Sequence, residues 1–268
     1  MSGKTASLKR IAAGIGAVVF VVAAAALVVF VRGKYVLPIA MYHSVLPDAS
    51  PENRLVVSPA TFEKQMAFLK KHRYSVLWLD QAAELMADRR SRRPARAVAL
   101  TFDDGNLDNY TYAFPILKKY GLPATIFIPV DFIGQPGKLT WEQIKEMQAS
   151  GLIRFGSHSL SHCFLERLTD QEQLAAEVRG SKKAIEEMLG VEVATFSYPC
   201  GRLNDSVRDL VEQAGYRAAV VTNPGKKMPD NDRFALKRLR ISENASNMFI
   251  FWFETSGYYN LIRENRHK

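Results

Sequence analysis

Two stretches of the chain carry residues that can do chemistry together: Thr101-Phe102-Asp103-Asp104-Gly105 and His158-Ser159-Leu160-Ser161-His162. Adjacent carboxylates followed by two imidazoles supply the donor types of an Asp-His-His set for a divalent cation, leaving positions open for water and substrate. Each half alone has a plainer reading. An Asp-Asp-Gly after a strand is often only a turn with its aspartates capping the next loop or helix, and His-x-x-x-His on a helix is one face. The chain has five histidines. Two of them beside a strand end, downstream of a strand end that delivers paired carboxylates, carry more weight jointly than either motif does separately.

The elements that must position these groups are strands. Val98 to Phe102 is an apolar, β-prone run whose last residues hand the two carboxylates to a glycine turn. Neighbouring side chains on a strand face opposite ways, so Asp103 and Asp104 share a site only if the backbone bends, which Gly105 permits. Ile153 to Gly156 reads as the strand that carries the histidines.

Taken in this order, the two motifs resemble the first two of the polysaccharide deacetylases of carbohydrate esterase family 4, the NodB-homology domain, over residues 36 to 245. The resemblance implies that Asp103 is the catalytic base and that Asp104, His158 and His162 hold a divalent metal, usually zinc in that family. Ser197-Tyr198-Pro199-Cys200-Gly201 is similar to the third motif, Arg-x-Pro-Tyr-Gly, with two departures. Cys200 replaces the tyrosine whose backbone N–H meets the oxyanion, a role indifferent to side chain. Ser197 replaces the arginine that orients the base, and Arg238 or Arg240 on a late strand is the candidate substitute, an ordinary surface arginine being the alternative. The late Leu-x-His motif, source of the general acid, is absent. With His72 in a basic surface-like stretch and His267 terminal, His43 is left by elimination as the acid or as a residue orienting the site; a satisfied strand-end histidine is the plainer reading. Trp141 is a candidate for stacking on sugar or for the core, and Tyr198 and Arg238 are further candidates for substrate contact.

The chain of 268 residues is 47% hydrophobic and 24% charged, an ordinary globular balance that suits one large domain, taken as 36–268. Ile11 to Val31 is an uncharged run of 21 residues, as a helix about 30 Å long and matched to a bilayer core. Lys4, Lys9 and Arg10 precede it and Arg32 and Lys34 follow, which favours a cytoplasmic tail at 1–10 by a small margin. An uncleaved single-pass anchor contacting membrane lipid, with the catalytic domain outside the cytoplasm, is expected; cleavage near Ala23–Ala26 would leave the apolar stub Leu27–Val31. The net charge of +9 is largely local, flanking this segment and clustering at Arg89, Arg90, Arg92, Arg93 and Arg96, without the interleaved aromatics of single-strand binders. No nucleic-acid partner is expected. Two cysteines, Cys163 and Cys200, are too few for a disulfide framework and read as buried free thiols.

Strands alternating with helices predict parallel βαβ units. Helices are expected from Ser58-Pro59, from Asp80 to Ala87, through Ala113 to Tyr120, from Thr140, from a capping box at Thr169-Glu172 through to Leu189, and up to Ala214, with late strands at Ala218–Thr222 and Ala235–Ile241. The α/β pattern leaves open or closed sheet undecided; the resemblance implies a distorted (β/α) barrel after one transmembrane helix. The expected activity is metal-dependent hydrolysis of N-acetyl groups on amino sugars of an extracellular or cell-wall polysaccharide. An inactive polysaccharide-binding barrel or a carbohydrate O-esterase are the alternatives.

Overall fold

The computed structural model describes residues 2–33, 35–88, 94, 96–222 and 232–259. Two units separate, residues 1–36 and 37–268. The first is the helix α1 (Ser2–Arg32). Side chains of residues 2–14 are outside the described set, so the span expected over 11–31 is described only from Ile15, and from there to Val31 it exposes its apolar side chains, Phe20 at 74%. Among the described residues no helix is long and apolar enough to cross a membrane. The arginines at 89, 90, 92 and 93, Lys34 and His267 also lie outside the described residues.

The second unit begins with β1 (Ile39–Tyr42), then β2 (Ser44–Val45) and β3 (Val56–Val57), which pair with each other. Helix α2 (Pro59–Lys71) starts where expected: Ser58 caps it by accepting the Thr61 N–H, and proline occupies the first turn, where its missing donor is not needed. After β4 (Ser75–Leu77) comes α3 (Leu79–Ala87), which begins one residue before the expected Asp80. Trp78 is the N-cap, with no side-chain bond, while Asp80 sits buried in the first turn and pairs with Arg154 and Arg217. Two guanidiniums outcompete a helix amide for that carboxylate.

β5 (Ala97–Phe102) is buried at every position, as a parallel strand covered on both faces must be. A π turn at 109–113 precedes α4 (Phe114–Tyr120), which Gly121 closes in the left-handed conformation. Then come β6 (Ala124–Ile128), α5 (Trp141–Ala149) behind a Thr140–Gln143 capping box, and β7 (Ile153–Ser157). The long helix expected from Thr169 is two, α6 (Gln171–Ala175) and α7 (Ser181–Leu189), around a π turn at 176–180. Its cap is Asp170, whose carboxylate accepts two amides, rather than Thr169. β8 (Thr195–Ser197), α8 (Asp205–Gln213), β9 (Ala218–Val220), β10 (Leu239–Arg240) and α9 (Met248–Glu254) complete the chain.

All strand pairings of the main sheet are parallel, in the order β10-β1-β5-β6-β7-β8-β9 with β4 also on β5. The sheet curls. Leu236 bridges to Val220 of β9, and three residues later β10 pairs with β1, so the short segment between them spans the seam. The strand expected at Ala235–Ile241 is thus reduced to a bridge and two paired residues, and Arg238 lies between them. Inside, Tyr42 stacks on Phe102 at 5.2 Å and meets Phe62 edge-on at 5.3 Å, fixing β1, β5 and α2 together. Each such buried ring contributes about 1.5–3 kcal/mol.

Candidate active site

Every motif residue falls at the carboxyl end of a parallel strand, where βα loops converge. His43 follows β1, Asp103 and Asp104 follow β5, His158 follows β7, and Ser197 ends β8.

Asp103 is 3% exposed, and Asp104 next to it takes φ +73, a left-handed backbone that costs a non-glycine residue about 1 kcal/mol or more. That twist, continued by Gly105 at φ +57, turns the two carboxylates toward one space despite strand alternation. The bend is pinned from outside. Lys138 Nζ donates to the Asp104 carbonyl at 3.1 Å and to Asn106 Oδ1 at 2.7 Å, and Leu139 N–H donates to the Gly105 carbonyl. A side chain at Gly105 would meet Ile128 Cγ2 at 2.9 Å.

The histidine loop is built as firmly. Glu177, in the π turn, accepts the amides of Leu160 and Ser161 at 2.9 and 3.0 Å, and Ser159 Oγ accepts the His162 amide at 3.0 Å. His162 takes φ +60. Its Nε2 lies 3.5 Å from Asp104 Oδ1, and His158 Nε2 lies 3.6 Å from the same oxygen. One donor atom from each of Asp104, His158 and His162 falls within 4.8 Å of the others. His158 Nδ1 is 2.6 Å from the Ser197 carbonyl. A carbonyl only accepts, so Nδ1 carries the hydrogen and Nε2 presents its lone pair, the tautomer a metal requires. The donor set therefore fits a divalent cation.

Asp103 stands beside this set. Arg238, 1% exposed, crosses the seam and donates from Nη1 to Oδ1 at 2.7 Å and from Nη2 to Oδ2 at 2.6 Å, while Nε donates to the Val221 carbonyl at 3.1 Å. The same Nη2 is 3.0 Å from Ser197 Oγ. Burial alone pushes the Asp103 carboxyl up, but the Arg238 guanidinium, aided by His158, outweighs it and holds the group well below the usual carboxylate range. Asp104 is lowered too: burial opposes, and the hydrogen bond and charge that His158 offers when its ring is protonated, rather than in the neutral tautomer that a cation takes, prevail.

His43 is half-buried, and among the described residues its Nδ1 is buried without a hydrogen-bond partner. Its carbonyl accepts Asn109 Nδ2 at 2.8 Å. Burial lowers its pKa from 6.5, against the opposing pull of the Asp103 and Asp104 carboxylates.

Three expectations are corrected. Arg238 does not reach for substrate; it is enclosed and grips the carboxylate of Asp103. The Tyr198 side chain is not available to a sugar either, being fully buried with its hydroxyl on the Phe234 carbonyl at 2.9 Å. The thiols are free, but Cys163 is half-buried and Cys200 exposed, because both sit on the loops rather than under them. Cys200 adopts φ +54 in the turn after β8, and Trp141 opens α5 half-buried against the core. Sequence reasoning missed Lys138 and Glu177. Both act through backbone atoms distant in sequence, and neither stands in a recognisable spacing.

A curled parallel α/β half-barrel with these motifs at its mouth defines a class, and the chain belongs to the polysaccharide deacetylase family. The family profile, described as polysaccharide deacetylase, matches residues 90–219. The Bacillus subtilis protein YxkH is 40% identical over 210 residues, 78% of this chain and 73% of that one. A Staphylococcus aureus poly-beta-1,6-N-acetyl-D-glucosamine N-deacetylase is 27% identical over 201 residues, 70% of this chain and 69% of its own. Among solved structures, the Streptococcus pyogenes deacetylase PplD, in complex with acetate, superposes with TM-score 0.71 at 30% identity, covering 85% of this chain and 97% of its own. IcaB from Ammonifex degensii gives 0.70 at 26% identity, covering 84% and 97%.

Proposed function

We propose that this chain is a membrane-anchored, metal-dependent N-deacetylase acting on N-acetylated amino sugars of an extracellular or cell-wall polysaccharide. The observation that carries the reading is the juxtaposition of Asp104, His158 and His162 with a separate, ionised Asp103 gripped by Arg238. The family and the named substrate of the Staphylococcus aureus relative support the substrate class.

Asp104, His158 and His162 would hold the cation, for which zinc is our first candidate, a choice the Asp-His-His donor set supports. A divalent cation there would supply Lewis acidity toward the substrate carbonyl and make a water molecule markedly more acidic. The remaining work falls to protein groups. Asp103, held ionised by Arg238, would be the group that accepts the water's proton. Arg238 fixes both carboxylate oxygens, which would keep Asp103 apart from the ligand set. The Cys200 amide is the oxyanion donor. His43, with a free buried nitrogen near both carboxylates, orients the substrate amide or returns the proton to the leaving amine.

Residues 11–31 serve as the anchor in this reading, which the apolar side chains from Ile15 to Val31 support, and the charges flanking the run favour an orientation with the catalytic unit outside the cytoplasm. An inactive binding protein is disfavoured because a polymer-binding groove gains nothing from a buried Asp103–Arg238 pair. The test is acetate release from N-acetylglucosamine oligomers, with an O-acetylated panel beside it. Release stops on chelation, returns with zinc and is lost in Asp103→Asn; an unchanged rate in that variant overturns the mechanism.

A further inference from the structure

The end of the barrel opposite the metal set has a surface that the deacetylase reading does not use. Helix α9 presents Phe249, Ile250 and Trp252 to solvent at 68%, 40% and 45% exposure, with the Phe249 and Trp252 rings 5.5 Å apart. Together with Phe68, Tyr74 and Met248 the two rings line a groove of about 310 Å³. Isolated exposed apolar residues are ordinary, but a contiguous aromatic patch marks an interaction surface.

Its surroundings say what kind. Arg96, exposed, lines the groove while donating to the His72 carbonyl, and exposed Lys70 and Arg73 line a neighbouring cleft that shares Tyr74 with it, with exposed Lys71 ending α2 between them in sequence. Aromatic side chains with a cationic border are the composition of a surface seated at the headgroup level of an anionic bilayer. The end of the barrel agrees as well. Arg96 stands just before β5 and Ser75 opens β4, so the patch lies at the strands' amino ends. The chain enters the unit at that same end, where Pro38 leads into β1 and accepts the Ala99 amide at 3.0 Å.

We propose that the α9–α2 face, with Phe249, Ile250 and Trp252 as the inserting side chains and Lys70, Lys71, Arg73 and Arg96 as their cationic border, docks on an anionic phospholipid surface. Docking in this pose holds the barrel upright, with the metal set one strand length away, roughly 20 Å for six residues, and facing the polymer. The orientation draws on the anchor reading of residues 11–31; the aromatic and cationic composition does not.

The test uses the full chain in nanodiscs whose acyl chains carry bromine, a contact quencher of indole, made of phosphatidylcholine alone or with about one third phosphatidylglycerol. Trp252 is one of three tryptophans, so quenching of about a third of the emission is expected in the anionic discs, absent in Trp252→Phe, and reduced at least about threefold in neutral discs, in high salt or in Lys70→Glu/Lys71→Glu/Arg73→Glu. Unchanged turnover on soluble oligomers establishes that the variants fold. Equal quenching of wild type and Trp252→Phe overturns the proposal. So does a loss of self-association in detergent in Phe249→Ser/Trp252→Ser, which would assign the face to a second copy. Alkaline washing of vesicles reads the anchor separately: chain retained without Trp252 quenching means the anchor stands and docking fails, whereas chain released with prior quenching means the reverse.

Discussion

Nη1 and Nη2 of Arg238 donate in parallel to Oδ1 and Oδ2 of Asp103 at 2.7 and 2.6 Å, across 135 positions of sequence. In the family's third motif the base-orienting arginine precedes the tyrosine turn, at the position where this chain has Ser197. Here the guanidinium arrives from the seam segment before β10, and Ser197, small enough to leave it room, is bonded to the same Nη2. The charge that the resemblance implies at position 197 is supplied here from position 238.

That exchange makes two substitutions informative. Arg238→Lys keeps a charge but loses the planar fork, so kcat is expected to fall about 10- to 100-fold with little change in KM. Arg238→Ser leaves a buried carboxylate uncompensated and should cost roughly 3–5 kcal/mol of stability. The double variant Ser197→Arg/Arg238→Ser returns an arginine to the third-motif position, and its thermal stability and kcat should both exceed those of Arg238→Ser alone. A double variant no better than the single one would show that the seam position is required in itself.

The metal set can be tested without turnover. A ligand that binds only the folded protein at 100 times its Kd stabilises it by about 2.7 kcal/mol, roughly 5–10 °C for a unit of this size. Zinc added to chelated protein should produce that change in Tm, and Asp104→Asn or His162→Ala should abolish it. Asp103→Asn should retain it while losing turnover. Calorimetry on the four proteins separates ligand from base; an Asp103→Asn protein that no longer responds to zinc would place Asp103 among the ligands.

Much of this site is legible in the sequence because its parts are local. Asp103-Asp104-Gly105 follows an unbroken apolar strand, and His158 and His162 sit beside another, so strand ends and chemistry coincide in short windows. The hidden part is non-local. Nothing near Arg238 tells it from Arg240; the difference is that the seam geometry turns one guanidinium inward under Asp103. Tyr198 reads as a substrate residue because it adjoins a motif, yet strand alternation sends its ring into the core against Phe196 at 5.3 Å. Glu177 holds the histidine loop from a π turn that helical periodicity does not signal.

The turn after β8 gives a steric prediction. Gly201 has φ +68, and a Cβ there would lie 2.3 Å from Thr222 Oγ1 and 2.5 Å from the Thr222 amide nitrogen. Gly201→Ala must therefore displace the turn that aims the Cys200 amide. Loss of one oxyanion donor typically costs about 3 kcal/mol, so kcat should fall by about 100-fold or more. Cys200→Ser alters only a side chain and should stay within about threefold of wild type. Steady-state kinetics on both variants decides whether the main chain or the thiol matters.

His43 gives the pH dependence. Burial lowers its pKa from the ordinary 6.5, and burial lowers that of His162 in the same direction. For a histidine whose pKa is depressed in the folded state, the unfolded chain binds more protons between the two values. The stabilising contribution is therefore complete above about 6.5 and is lost as pH falls through the lower folded-state value. In chelated protein, urea unfolding should show stability declining below about pH 6.5, and His43→Gln, which has no proton to take up, should flatten that decline by about 1.4 kcal/mol for each pH unit separating the folded and unfolded values. The same variant tests chemistry. If the unpartnered Nδ1 serves the substrate amide or the leaving amine, kcat in the zinc-loaded enzyme falls about 100-fold or more at every pH while zinc binding is unaffected. A His43→Gln enzyme with wild-type kcat and an altered acid limb would make His43 a structural histidine and leave the leaving-group proton to solvent.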